Sequence, residues 1–127
     1  MNLQTPSNAS RPQKGAVLTK AVLQATVRLE LSAKALAAII GVSEATVSRM
    51  RRAEFTLEEG TKPFELAVLF IRLFRSLDAI VGGDQAVACS WLRNTNNVLN
   101  GRPIDQILTI AGLTDVITYL DSRRAIV

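Results

Sequence analysis

Residues 33–52 carry two short helical patterns separated by a glycine, and few folds accommodate this arrangement. Ser32 and Ser43 each precede one pattern, and serine readily caps a helix N-terminus. Ala37 is small enough for two helices to cross closely, and Gly41 can adopt the positive φ of a tight turn. The residues expected to face inward are Leu36, Ile40, Val42, Val47 and Met50. The spacing therefore predicts a helix-turn-helix.

The outward face of the second helix, residues 44–52, is polar in its first turn and basic in its last. In a DNA-binding helix-turn-helix, the first residues of this helix reach base edges in the major groove, and later cations contact phosphates or a guanine. Glu44 would accept from cytosine N4 or favour the positive helix terminus. An ordinary helical hairpin with a solvated basic end would show the same local pattern. The candidate DNA-binding residues are Ser43, Glu44, Thr46, Ser48, Arg49, Arg51 and Arg52.

The charge of the chain is distributed unevenly, which favours the DNA-binding interpretation. Residues 1–62 hold nine Lys or Arg and five Glu, whereas residues 63–127 hold six Arg and six acidic residues. The formal net charge of +4 therefore lies wholly in the first half. Such a distribution indicates that the first half binds a polyanion and that the neutral second half binds protein.

Apolar residues recur at helical spacing along most of the remaining chain. No segment alternates apolar and polar residues with the period of two that a half-buried strand needs. We therefore expect an all-α fold, with an N-terminal helix-turn-helix bundle followed by a small helical domain. Further helices are predicted over residues 16–31, 65–81, 85–92, 103–110 and 115–122, the last of them capped by Thr114.

The chain is expected to have three parts. Residues 1–13 contain two prolines and little to bury, so we expect a flexible arm there. Residues 14–62 would form the helix-turn-helix unit, and residues 63–127 a second domain for protein binding and self-association. The helix over 65–81 has a wide apolar face, which offers a surface for pairing into a homodimer. Two-fold pairing also doubles the number of bases that the protein reads, because each copy places one recognition helix in one half-site.

The composition excludes several classes of function. The chain has no His and one Cys, so Ser-His-Asp and Cys-His catalysis and nearly all zinc sites are excluded. It also lacks a Gly-rich phosphate loop and clustered carboxylates, so we expect no catalytic residue, no metal and no cofactor. The longest apolar run, residues 66–71, is far shorter than the ~20 residues of a membrane span. We expect a cytoplasmic protein without a membrane partner.

The second half contains an ordered series of short motifs. They are Leu77-Asp78, Gly82-Gly83, Trp91, Gly101-Arg102-Pro103 and Tyr119-Leu120-Asp121. With these motifs at these separations behind a helix-turn-helix, the chain resembles the Xre/MbcA/ParS family of bacterial type II antitoxins. The resemblance covers nearly everything after residue 13, and it implies that residues 63–127 form a domain for toxin binding and self-association.

The resemblance implies a cognate toxin of the RES type, an enzyme that consumes NAD+ or uses it for ADP-ribosylation. It also implies that the C-terminal domain blocks the toxin's active site and that the helix-turn-helix binds operator DNA and represses the operon. An arginine can pair with toxin carboxylates or occupy the position of a cofactor phosphate. The toxin-binding residues implied are Arg102, Tyr119, Asp121, Arg123, Arg124 and Val127.

Other interpretations stay open. A free-standing Xre-like transcriptional regulator would have the same helix-turn-helix and a C-terminal domain that only dimerises or senses a ligand. Single residues also have structural explanations, with Trp91 as a core anchor and Cys89 as a small buried hydrophobe. Arg123 and Arg124 would then be charges that the C-terminus of a helix favours.

Overall fold

The computed structural model describes the backbone of residues 5–126 and the side chains of residues 14–125. The predicted all-α class is confirmed, because over the described residues the chain forms helices and no strand, with one isolated bridge between Asn96 and Gly101. The helices are α1 (Thr5–Arg28), α2 (Ala33–Ile40), α3 (Glu44–Arg51), α4 (Lys62–Ile80), α5 (Gln85–Arg93), α6 (Pro103–Gln106) and α7 (Ile110–Ile126).

The helix-turn-helix of α2 and α3 forms as its caps predict. The Ser32 hydroxyl accepts a hydrogen bond from the amide of Ala35, and the Ser43 hydroxyl accepts one from the amide of Thr46, both at 3.0 Å. Each cap stabilises its helix by about 1 kcal/mol. Gly41 ends α2 in the left-handed region at φ 74°, where a side chain would be strained. Local interactions therefore set where α2 begins and ends and where α3 begins.

Helix α1 begins earlier than expected. It starts at Thr5 instead of residue 16, so its bounds include residues 5–13 of the expected arm, and the flexibility of that arm stays a prediction. Pro6 lies in the first turn, where its missing amide hydrogen costs nothing, and extending an existing helix is far easier than nucleating one. Residues 1–4, the rest of the predicted arm, lie outside the described part of the chain.

Helix α4 is the centre of the molecule, because it packs against α1, α2 and α7. It is capped by Thr61, whose hydroxyl accepts from the amide of Phe64 at 3.4 Å, so it begins before residue 65. Its main apolar residues are buried by the neighbouring helices, although Val68 is exposed. Part of its apolar surface stays accessible, because Leu69, Ile71 and Phe74 are half-buried, and pairing through this helix stays a prediction. The α4 residues buried in the core are Ala67, Phe70, Leu73 and Leu77.

The last two helices differ from their predicted bounds. Helix α6 ends at Gln106 instead of residue 110, and α7 begins at Ile110 instead of 115. The Thr109 hydroxyl accepts from the amide of Gly112 at 3.1 Å and caps α7. Thr114 lies inside the helix, where its hydroxyl donates to the carbonyl of Ala111 at 2.9 Å, so its predicted role as a cap is wrong. Either threonine satisfies the local rule for a cap, and the tertiary structure selects Thr109.

One continuous core runs through both halves of the chain. The buried apolar residues form a single cluster from Val22 of α1 to Leu120 of α7. The predicted boundary between residues 62 and 63 falls in the first turn of α4, and this helix contributes to the packing on both sides. The two surfaces described next therefore lie on one rigidly packed unit.

Candidate functional site

The outward face of α3 is the first candidate surface. Val47 and Met50 are buried against the rest of the bundle, which leaves the opposite side of this short helix open. Of the predicted DNA-binding residues, Thr46 and Ser48 are half-buried and the others are exposed. The structure therefore brings all seven together on one helix and its cap, the placement that a recognition helix requires.

Arg49 is held in place by two neighbours. Its guanidinium carbon lies 5.3 Å from the centre of the Phe55 ring, a cation–π distance. Its Nη2 also donates to the Thr46 hydroxyl at 3.4 Å, and this hydroxyl accepts from Ser43 at 3.0 Å. A side chain that is already ordered loses less rotational freedom on binding, so Arg49 is prepared for a directed contact.

Arg51, the last residue of α3, and Arg52, which follows it, differ in their surroundings. The Nε of Arg52 lies 3.1 Å from an oxygen of Glu54, so part of its charge is neutralised within the chain. Arg51 makes no ion pair or hydrogen bond with any of the side chains at positions 14–125. Arg49 and Arg51 are therefore the cations of α3 most available to a phosphate or a base.

A polar cluster between α4 and α7 is the second candidate region. Asp121 accepts from the hydroxyl of Ser76 at 2.9 Å and forms an ion pair with Arg72. Arg124 donates to the same hydroxyl at 3.3 Å. Partial burial alone would raise the pKa of Asp121, but the two hydrogen bonds and the charges of Arg72 and Arg124 outweigh it and lower the pKa below its usual value.

Two residues predicted to bind the toxin have partners within the chain in this cluster, and their contact with a toxin stays a prediction. Asp121 is turned toward α4 and holds α7 against it, and Arg124 is tied to Ser76 of the same helix. Arg123 is exposed beside them, and Val127 lies outside the described residues. Arg72 and Ser76 were missed because they lie 49 and 45 residues before Asp121, and sequence spacing carries no signal for such a contact.

The remaining two predicted toxin-binding residues lie elsewhere. Tyr119 stacks on Trp91 with the ring centres 6.2 Å apart and the planes at 14°. Arg102 forms a bidentate pair with Asp105 at 2.9 and 3.1 Å, which raises the pKa of the guanidinium. Among the described side chains, no hydrogen bond or ion pair joins the Arg102 side chain to α7. The predicted set is therefore divided among three places.

Trp91 is half-buried and packs against the edge of the core, so it has both a core contact and an accessible side. The buried side of α5 consists of Ala88, Cys89 and Leu92, while Val87 on the side of Trp91 is 49% exposed. The Cys89 interpretation is confirmed, since the thiol is buried and lies 3.3 Å from the carbonyl oxygen of Arg28. Burial raises the pKa of this thiol, and the negative charge of Glu30 adds to the effect.

Two further findings concern membrane-spanning helices and metal-binding side chains. Within residues 5–126, none of the helices combines the length and the apolar character that a membrane crossing needs. The described side chains form no group of His, Cys, Asp and Glu that would hold a metal ion.

An exposed recognition helix and a packed helical second half define a helix-turn-helix protein with an additional binding domain. Residues 9–72 match the family model of the antitoxin Xre-like helix-turn-helix domain. Residues 76–125 match that of the antitoxin Xre/MbcA/ParS C-terminal toxin-binding domain. The chain belongs to the Xre/MbcA/ParS antitoxin family, as its motifs predicted. No curated protein sequence gives a significant match to the chain.

Proposed function

We propose that this protein is the antitoxin of a type II toxin–antitoxin pair whose toxin is a RES-type enzyme that acts on NAD+. The observation that carries the proposal is the pair of family matches, a helix-turn-helix followed at residue 76 by a toxin-binding domain. The protein neutralises the toxin by binding it and has no catalytic step or cofactor of its own. Toxin and antitoxin meet in the cytoplasm.

The DNA-binding half of the proposal rests on α3. Its N-terminus and first-turn residues enter the major groove of an operator in front of the antitoxin gene, and Arg49 and Arg51 contact phosphates or a guanine. The ordered position of Arg49 over Phe55 supports a specific contact for this side chain. Two copies bind the two halves of the operator as a homodimer, and this binding represses the operon.

The toxin-binding half of the proposal rests on the end of α7. Arg123 lies beside the cluster that fixes Asp121 to α4, and we propose that this arginine and the C-terminal tail enter the active site of the toxin. The guanidinium of Arg123 is exposed and has no partner among the described side chains, so it is available to toxin carboxylates or to the space of a cofactor phosphate. Asp121 supports this segment and does not touch the toxin.

The DNA-binding role is tested by changing Arg49 and Arg51 together to alanine. Affinity for a DNA fragment from upstream of the gene should fall about 10-fold to 100-fold, and the slope of log affinity against log salt should flatten by about 2. Arg123→Ala is the matched control, because it also removes an exposed arginine near the end of a helix. Unchanged DNA affinity in the double variant would remove these two residues from the DNA-binding surface.

The toxin-binding role is tested by deleting residues 123–127, which leaves Asp121 and its bonds to α4 in place. The deletion should release the NAD+-consuming activity of the toxin encoded beside the gene, with operator affinity unchanged. The R49A/R51A variant, which keeps the tail, should still inhibit that activity. If the shortened protein inhibits as well as the full chain, the tail does not block the active site. If the full chain neither binds nor inhibits the neighbouring gene product, a free-standing regulator is the better description.

A further inference from the structure

We propose that the groove beside Trp91 is a second contact surface for the toxin and that it receives an uncharged, apolar side chain of that protein. The proposal rests on the proposed antitoxin function, since it names a part of the surface through which the toxin is bound. It differs from the tail of α7, because the groove is formed by α5 and the turn after it. The residues that line the groove are Val87, Ser90, Trp91, Asn94, Thr95 and Asn96.

The groove has an apolar floor and a polar rim. The floor is the indole of Trp91, which is supported from behind by the stacked ring of Tyr119. The exposed side chain of Val87 forms one wall. Ser90 and Asn94 form part of the rim and are joined to each other by a hydrogen bond of 3.0 Å. An apolar centre within a rim of hydrogen-bonding groups is the usual composition of a protein–protein contact.

The wall opposite α5 is fixed in shape by Asn96. The backbone of Asn96 pairs with that of Gly101, through bonds of 2.8 and 3.3 Å, and closes a short loop. Its side-chain oxygen accepts from the amides of Val98 and Leu99 at 2.9 and 3.0 Å. A groove with a fixed wall loses little freedom when it is filled, so each contact that it makes contributes more to affinity.

The charge of this surface favours a protein partner over DNA. From residue 85 to residue 101, Arg93 is the sole charged residue. Its guanidinium donates to the carbonyls of Leu29 and Glu30 at 3.1 and 2.8 Å, so it is tied to the end of α1. The groove therefore offers no cation to a phosphate backbone, whereas depletion of charge is typical of the centre of a protein interface.

The size of the groove and its position indicate what fills it. A volume of about 250 Å³ suits one bulky side chain and is small for a cofactor or a drug-sized ligand. Val98, two residues after Asn96 in the same loop, is 72% exposed and adds a further accessible apolar side chain to this segment. The groove lies entirely within residues 76–125, which match the toxin-binding domain. We therefore assign the groove to an apolar anchor residue of the toxin.

The first test is a block of the groove by Val87→Arg. This residue is half-exposed, so the variant should fold, and its long charged side chain would lie across the Trp91 floor. The dissociation constant for the toxin encoded beside the gene should rise about 30-fold or more, the effect of losing one anchor contact. Val17→Arg is the matched control, because Val17 is a 68% exposed valine on α1, outside the toxin-binding match. It should leave toxin affinity unchanged.

The second test uses Trp91 directly, because it is the chain's one tryptophan. Full-length protein labelled with 5-fluorotryptophan should give one 19F resonance. Unlabelled toxin should shift this resonance, whereas operator DNA and a rise in protein concentration should not.

Each outcome bears on a different claim. A shift on adding toxin, with weak binding by V87R and normal binding by V17R, would support the assignment. Normal toxin binding by V87R with an unmoved resonance would overturn the groove assignment and leave the antitoxin function intact. A shift of the resonance caused by DNA or by a rise in protein concentration would mean that DNA or a second copy of this chain occupies the groove instead of the toxin. Failure of the wild-type protein to bind the toxin would overturn the proposed function itself, and the groove assignment with it.

Discussion

Replacing Asp121 by alanine removes the carboxylate that joins α7 to α4. The Ser76 hydroxyl, which is fully buried, loses an acceptor at 2.9 Å, and Arg72 loses its ion-pair partner. A hydrogen bond between a buried donor and a charged group contributes about 1.5–3 kcal/mol. Arg72 is 60% exposed, so solvent screens its pair with Asp121 and limits that contribution to about 0.5 kcal/mol.

One effect opposes these losses. Alanine has a higher helix propensity than aspartate, which returns about 0.5 kcal/mol to α7. The net decrease in the free energy of unfolding should therefore be about 2 kcal/mol. For a chain of this length the melting temperature should fall by roughly 8 °C.

The effect of Asp121→Ala should depend on pH in a defined direction. The pKa of Asp121 is lowered in the folded protein, so the folded state favours the ionised carboxylate. In the unfolded chain the pKa of Asp121 is about 3.9, and in the folded protein it is lower. The resulting stabilisation is fully present above the unfolded pKa and is lost as the pH falls toward and through the folded pKa. The difference between wild type and D121A should be complete at about pH 7 and should shrink below about pH 4.

Urea unfolding followed by circular dichroism, at about pH 7 and about pH 3.5, measures both effects. Asp115→Ala is the matched control, since Asp115 is an exposed aspartate on α7 that pairs with no described side chain. The control should stay within about 0.5 kcal/mol of wild type. A D121A variant as stable as the control at neutral pH would refute the view that this carboxylate holds α7 on α4.

Two further substitutions or modifications have clear expected outcomes. Gly112→Ala would place a Cβ against the carbonyl oxygen of Gln106, so we expect the free energy of unfolding in urea to fall by about 3 kcal/mol or more. A smaller decrease would contradict close packing of α7 on the end of α6 at this position. Iodoacetamide should alkylate Cys89 at least about 10-fold more slowly in the folded protein than in urea, because burial raises the pKa of the thiol. Equal rates by mass spectrometry would contradict the burial of this side chain.

The sequence predicted the helix-turn-helix well because its signals are local. Ser32, Gly41 and Ser43 act on their own neighbours within four residues, and the structure forms the caps and the turn where these residues stand. The beginning of α7 was misplaced because Thr109 and Thr114 satisfy the same local rule. Which threonine caps α7 depends on the packing of α7 against α6, because Gly112 of α7 lies directly against the carbonyl of Gln106 at the end of α6.

The candidate sites were predictable only as far as they depend on residues that are close in sequence. The cations of α3 could be assigned because one short helix presents all of them. The role of Asp121 could not, since it depends on Arg72 and Ser76, which only the packing of α7 on α4 brings close. The groove beside Trp91 was missed as well, because its shape requires both the rotation of α5 and the closed loop that follows it.

The two family matches meet inside α4, between residues 72 and 76, and this has a consequence for how such proteins change in evolution. Successive residues of a helix are rotated by about 100°, so one residue inserted at this seam would turn Ser76 and Leu77 away from the core. A recombination event that exchanges the second half must therefore preserve helical phase as well as reading frame. The two matched parts are accordingly harder to exchange separately than two domains joined by a loop.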